Sequence, residues 1–286
     1  MTWGDSVRLG ALVFTAVTCV VVGDTAGKLL TQAGIEPVLV AWARFAIAAV
    51  VLLPLSGLRR SELHQLADWR VVLRAVLIAG GICAILTALR TEPIANVFGA
   101  FFIGPVVSYV LAVLFLGERP SGARTALLGL GFVGVMLVVQ PGFGGGTGMV
   151  FALLAGLFYG AYLATTRAVA GAFRPRFLLI SQLLIGAVVL APLGLSSGSP
   201  PLTNAVWPLF LLSALGSAAG NYLLVIANKR AEASLVAPLI YTQLISATGL
   251  GVLVFGDWPD PVALTGLALI ALSGFGSLVV RQNRVT

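Results

Sequence analysis

Ten stretches of about twenty residues, each nearly free of charge, fill almost the whole of this chain. Each is long enough to cross ~30 Å of hydrocarbon as an α-helix rising 1.5 Å per residue. They fall at about 9–30, 36–56, 71–90, 93–116, 121–139, 147–169, 177–196, 206–228, 233–255 and 262–280. The breaks between them carry helix-ending chemistry: Pro37, Gly57, Pro93, Pro120, a PGFGGG run at 141–146, Pro175, an SSGSPP run at 196–201, and Pro259 with Pro261. Only 9% of the 286 residues are charged, against about a quarter in a soluble domain. The chain cannot cover its own surface in water, so lipid is its solvent. The net charge of +7 comes from Lys and Arg scattered between apolar runs. They form no aromatic-studded basic face, which excludes nucleic acid as a partner. Cys19 and Cys83 both lie inside apolar runs and indicate neither a disulfide framework nor a metal pair.

The basic residues also orient the chain. With the N-terminus inside, fourteen of the seventeen Lys and Arg fall in cytoplasmic segments, Arg74 and Arg124 among them. Lys28 and Arg90 lie outside and Arg44 within a span. That asymmetry predicts both termini on the cytoplasmic side. The segment LRRSELHQLADWR at 58–70 then lies on the cytoplasmic face as a short interfacial element, its His64 an ordinary loop residue.

Sliding the sequence by 139 residues superposes its halves. LAVLFLGERPSGARTALLGLGFVGVMLVV at 111–139 falls on LGVLVFGDWPDPVALTGLALIALSGFGSLVV at 250–280, with Gly117-Glu118 on Gly256-Asp257 and Lys28 on Arg167. Five spans per copy is an odd number, so the second copy enters the membrane inverted. The expected fold is an all-α membrane protein of ten helices in two inverted five-helix repeats, 1–140 and 141–286, around a central cavity. Transporters are built this way. At the corner, Gly117 suits a left-handed helix end, and Glu118 suits the positive start of the helix that follows.

These features, above all the LFLGERPSGARTALLGLGFVGV segment closing each repeat, resemble the EamA-type drug/metabolite transporter superfamily. The general character is similar to its YddG-like exporters of aromatic and other neutral amino acids. The resemblance implies a cavity surrounded by the third, fourth, eighth and ninth spans. The first, second, sixth and seventh would rock around it, and the fifth and tenth would be peripheral.

Polar groups inside the spans are the site candidates, because each is costly in lipid. Asp24 and Lys28 stand one turn apart near the outer end of the first span. They read as a self-neutralised rim pair or, more sharply, as a gate with Asp24 a coupling carboxylate. GDTAG at 23–27 also offers a small-xxx-small packing face. Arg44 either receives a substrate carboxylate or pairs with Asp24. Gln182 holds nearly the repeat-related place. Asn96, Phe101, Ser108 and Tyr109 in the fourth span, Tyr159 and Tyr162 in the sixth, Asn221 and Tyr222 in the eighth, and Tyr241, Gln243 and Thr248 in the ninth complete the candidates. Ser234, Tyr241 and Thr248 repeat every seven residues, a stripe that the resemblance turns toward the cavity. Pro105 and Pro238 interrupt their helices near mid-membrane and are hinge candidates. Aromatic walls with a few amides and hydroxyls suit a small, partly apolar zwitterion.

The expected activity is therefore secondary transport by alternating access, exporting aromatic or neutral amino acids, with multidrug or toxic-metabolite efflux as the alternative. No cofactor is called for. The expected partners are a small-molecule substrate and the bilayer, with self-association open. An enzyme would need a constellation that is missing: there is no HExxH, no GxSG and no pair of buried aspartates.

Overall fold

A computed structural model of the chain describes residues 3–91, 94–119, 122–140, 146–198, 206–256 and 258–279. The ten predicted spans are all helical: α1 (Trp3–Gln32), α2 (Pro37–Ser56), α3 (Trp69–Thr91), α4 (Ile94–Phe101 and Ile103–Phe115), α5 (Gly122–Val139), α6 (Thr147–Val169), α7 (Pro175–Ser196), α8 (Val206–Arg230), α9 (Ala233–Ile240 and Gln243–Leu250, ending in a π-turn, Gly251–Phe255) and α10 (Pro261–Val279). All ten are long and apolar enough to cross a membrane. Large apolar side chains such as Val50, Phe115 and Val188 stand about three-quarters exposed, on surfaces that face lipid. This is a multi-pass membrane protein. The face where α1 begins and α10 ends is called the terminal face below, and the opposite one the distal face.

The most extensive helix contacts run between the halves: α1 with α8, α3 with α6, α5 with α10 and α2 with α7. Exchanging each helix for the one five places on sends α1–α8 onto α6–α3. It returns the other two pairs onto themselves, as an inverted repeat requires. The α1–α8 seam depends on missing side chains. A Cβ on Gly23 would stand 2.8 Å from the Ser217 backbone nitrogen, and one on Gly216 would stand 3.0 Å from the Cys19 carbonyl. The 23–27 packing face is thus used against α8. Within lipid, such close approach supplies van der Waals contact in place of a hydrophobic driving force.

Both central helices are broken. Pro105 has no N–H for the Phe101 carbonyl, and α4 turns at Phe102. In α9 the break falls at Tyr241 and Thr242, three residues past Pro238. There the Thr242 hydroxyl donates to the Leu239 carbonyl at 2.6 Å, drawing an acceptor out of the helical ladder. Phe102 and Tyr241 are repeat-related positions, and their rings meet edge to face with centroids 6.0 Å apart.

At the Gly117 corner the backbone is left-handed, with φ +67°, as expected. Glu118 does something else than expected. Its carboxylate reaches across to the other repeat, accepting the Ala233 N–H at 2.9 Å and the Ser234 N–H at 3.0 Å. It therefore caps α9 and not the helix that follows it. Arg167 donates to the same carboxylate at 3.3 Å and to the Asn228 carbonyl at 2.9 Å. Pro120 and Asp257 lie outside the described residues.

The 58–70 segment contains a short 3-10 helix, Arg60–Ala67, on the terminal face. Its Glu62 receives a two-pronged contact from Arg174, at 2.7 and 2.6 Å. The Arg174 hydrogen bond, opposed by desolvation and aided by the Arg59 N–H, holds the Glu62 carboxyl below its ordinary value of 4.5. A depressed carboxyl stabilises the fold fully above that ordinary value. The contribution fades as pH falls through the lowered one. The protection factors of residues 58–67 against hydrogen exchange, corrected for the intrinsic rate at each pH, should accordingly be flat from pH 7 to about pH 5 and fall only under stronger acid. Protection lost already near pH 6 would show that another group controls this contact.

Candidate functional site

A cavity of about 380 Å³ opens on the distal face. Asp24, Thr25 and Lys28 of α1 form one wall, and Leu244, Ala247, Thr248 and Phe255 of α9 another. Phe98 of α4, Leu89 of α3, the 138–140 end of α5, Trp258, Asp260 and the start of α10 close it. The walls differ from those the resemblance implied. The ends of α5 and α10 take part, and among the described residues none of α8 lines the cavity; its glycine seam packs it against α1 instead. Gln140 and Asp260, one from each repeat, join at this rim by hydrogen bonds of 2.9 and 3.1 Å.

Of the two pairings the sequence offers Asp24, with Lys28 inside α1 or with Arg44, the structure forms the one between helices. Arg44 of α2 places Nη2 2.9 Å from Asp24 Oδ1. That contact is short but misaligned, since Nη2 has no well-directed hydrogen bond. Nε of Arg44 donates to Ser213 of α8 at 2.8 Å, and Ser213 donates onward to the Gly23 carbonyl at 2.9 Å. Arg44 is 3% exposed and Asp24 14%, so the carboxylate faces the cavity and the guanidinium lies behind it. Lys28 turns its ammonium over the Phe255 ring, 4.1 Å from the centroid.

A second arginine cluster occupies the terminal half. Arg74, counted with the cytoplasmic segment although it lies at the start of the third apolar run, is wholly buried. It donates to Thr166 at 2.8 Å, to the Leu178 carbonyl at 2.8 Å and to the Tyr162 hydroxyl at 2.9 Å. That hydroxyl lies 3.1 Å from both Gln182 and Asn221. It has one proton, so it donates to one of them at a time. The cluster ties α3, α6, α7 and α8 together. Arg74 and Ser213 are repeat-related positions, so each half of the molecule has one arginine-centred cluster. Arg124 is also buried, paired with Glu232 at 2.8 Å, and not a free loop charge.

Of the sequence candidates, Asp24, Lys28 and Thr248 line the distal cavity. Arg44 stands directly behind it. Tyr162, Gln182 and Asn221 meet in the Arg74 cluster. Phe101, Ser108, Tyr159, Tyr241 and Gln243 are buried, and the Tyr109 hydroxyl lies 2.6 Å from that of Thr125. Tyr222 instead lines a separate groove of about 390 Å³ between α2, α7 and α8. The Asn96 side chain lies outside those described. Sequence reasoning missed Arg74, Ser213, Gln140 and Asp260. The repeat offset, applied to Arg74, would have pointed to Ser213.

Ten apolar helices paired across two repeats, with a polar-floored cavity open on one face, define a membrane carrier. Comparison with known proteins gives the family. Residues 9–140 and 146–279 each match the model of the EamA-like transporter family. A riboflavin transporter of Rhizobium johnstonii is 32% identical over 80% of this chain and 74% of its own length. An S-adenosylmethionine uptake transporter of Rickettsia bellii is 26% identical, covering 81% of this chain and 79% of itself. The pseudopaline exporter CntI of Pseudomonas aeruginosa is 25% identical over 71% of this chain and 72% of its own length. A protein of known crystal structure shares the fold with a TM-score of 0.77 over 96% of this chain and 97% of its own, at 17% identity. The chain belongs to the EamA-like transporter family of the drug/metabolite transporter superfamily. It is a transporter and not an enzyme.

Proposed function

We propose that the chain is a secondary carrier that moves a flavin-like heteroaromatic metabolite across the bacterial inner membrane by alternating access, its termini in the cytoplasm. The observation that carries this reading is the make-up of the distal cavity. Phe98, Phe255 and Trp258 offer faces for a planar ring, and Thr25, Gln140 and Thr248 offer hydrogen-bonding groups to its edge. The similarity to riboflavin transporters supports it. Arg44, the group otherwise suited to a substrate carboxylate, is engaged by Asp24. In this reading the structure is the distal-open state, with the Arg74 cluster and the Glu118–Arg167 contact holding the terminal half shut. Pro105 and Pro238, beside the two breaks, act as hinges. The relatives' names include both uptake and export, so the gradient of the permeant sets the net direction.

A second reading, export of aromatic or neutral amino acids, draws on one observation. Lys28, Asp24 and Asp260 bring both signs of charge into a single cavity, as a zwitterion needs. Proteoliposomes containing only the purified protein separate the two. Saturable uptake of labelled riboflavin that outcompetes Phe, Trp and Met is the expected result. Uptake of the amino acids without riboflavin would replace the first reading by the second. Movement of neither, with folded protein shown in the vesicles, would leave multidrug or toxic-metabolite efflux. An imposed pH gradient that drives riboflavin uptake in wild type but not in Asp24→Asn would make Asp24 the coupling group.

A further inference from the structure

Arg74 is unusual for a buried cation. Its three donor nitrogens all go to neutral acceptors, and no carboxylate lies within 4.0 Å of it among the described residues. Its counterpart in the other cluster, Arg44, has Asp24. A guanidinium cannot shed its charge in the membrane interior, so burying it without an anion needs a reason.

The aromatic side chains around it supply one. Phe98 stands in the wall of the distal cavity. Behind it comes Phe101, with centroids 6.4 Å apart, then Tyr159 at 5.0 Å and Tyr162 at 6.3 Å, nearly parallel to Tyr159. Arg74 sits 4.8 Å from the centre of the Tyr162 ring. A continuous line of aromatic rings, edge to face at Phe98–Phe101, tilted at Phe101–Tyr159 and near-parallel at Tyr159–Tyr162, thus leads from the open cavity to the guanidinium. Two buried hydroxyls without a partner among the described residues stand at it: that of Tyr159, a member of the line, and that of Tyr241, whose ring meets Phe102, itself against Phe98 and Phe101. Buried hydroxyls are normally satisfied, and two orphans here mark a place where a partner is taken up in another state.

We propose that this column is a second substrate station, occluded here and exposed when the terminal half opens, in which Arg74 receives the hydrogen-bond-accepting edge of an aromatic permeant and Tyr159 bonds its ring substituents. The carbonyl-rich edge of a flavin or the carboxylate of an aromatic acid has the required chemistry. The proposal rests on the carrier reading above. On opening, the permeant's oxygens replace Tyr162 and the Leu178 carbonyl as acceptors, so the guanidinium never loses its full set of hydrogen bonds. Arg44, in the cluster of the other half, needs no such exchange, because Asp24 stays with it.

Tyr159→Phe is the informative variant. Its hydroxyl is unpartnered in this state, so removing it costs the closed fold nothing. Labelled riboflavin is presented to one face at a time in oriented proteoliposomes carrying wild type, Tyr159→Phe or Arg74→Gln. Tyr159→Phe is expected to raise KM from the terminal face by about tenfold, the loss of roughly one well-made hydrogen bond to substrate, while KM from the distal face stays within about twofold. Arg74→Gln is expected to raise KM from the terminal face at least as much, and it also weakens the contacts that hold the terminal half. If Arg74→Gln fails to fold, Tyr159→Phe alone decides. Wild-type KM from the terminal face in Tyr159→Phe would overturn the station. So would a fall in turnover from both faces with KM unchanged, since a clamp that merely closes the terminal half predicts that. A wild type that carries no riboflavin from either face would sink the flavin reading itself and the station with it.

Discussion

Asp24→Ala is expected to destabilise the protein markedly more than Arg44→Ala, although both break one ion pair. Removing Asp24 strands a guanidinium that is 3% exposed behind the cavity wall, with Ser213 as its remaining partner among the described residues. A buried charge left without its counter-ion costs about 3–5 kcal/mol. Removing Arg44 strands a carboxylate that borders the open cavity, where water can solvate it. That loss should be roughly half as large. Thermal unfolding in detergent measures both, and the double variant should lose less than the two singles summed, because they share one interaction. Equal losses would mean that water does not reach Asp24 through the cavity.

The second large effect falls on Glu118. One carboxylate there satisfies two N–H groups at the start of α9 and one guanidinium from α6. Replacing a helix cap costs about 0.5–2 kcal/mol, and charged hydrogen bonds lie at the strong end. Glu118→Ala should therefore raise amide exchange at Ala233 and Ser234 by tenfold or more, since about 1.4 kcal/mol is a factor of ten. Glu118→Gln keeps one acceptor oxygen in the same place and should fall between. If exchange at those two amides is unchanged in the alanine variant, the cap is not what holds the start of α9.

How far the sequence could be read follows from which forces are local. The spans, their breaks and the left-handed Gly117 depend on residues within a turn or two, and hydropathy and glycine chemistry report them directly. The repeat was legible because its offset brings Gly-acid corners into register. Partners were another matter. The i,i+4 spacing favoured Lys28 for Asp24, yet helix packing set Arg44 beside it from the next helix. Glu118 was assigned to its own neighbour in sequence, whereas the N–H groups it caps lie more than a hundred residues away. Arg74 was counted with the cytoplasmic segment because it precedes the densest part of its apolar run. Only the packing of α3 against α6 shows that it turns inward. Whether the buried aromatic candidates meet substrate depends on a state of the carrier, which no single pattern of residues encodes.

The unequal lengths of the helices bear on the lipid around them. The α5–α10 pair has 18 and 19 residues, about 27–29 Å, slightly less than a typical hydrocarbon core. The apolar stretches of α1 and α8, about 9–30 and 206–228, run to about 33–35 Å, while Asp5, Arg8, Lys229 and Arg230 carry the ends of those helices into the interfaces. The bilayer therefore meets apolar helices of unequal height on the same molecule. A mismatch of a few ångström is absorbed by tilt or by thinning beside α5 and α10. Acyl-chain length then acts on this carrier from outside its substrate path.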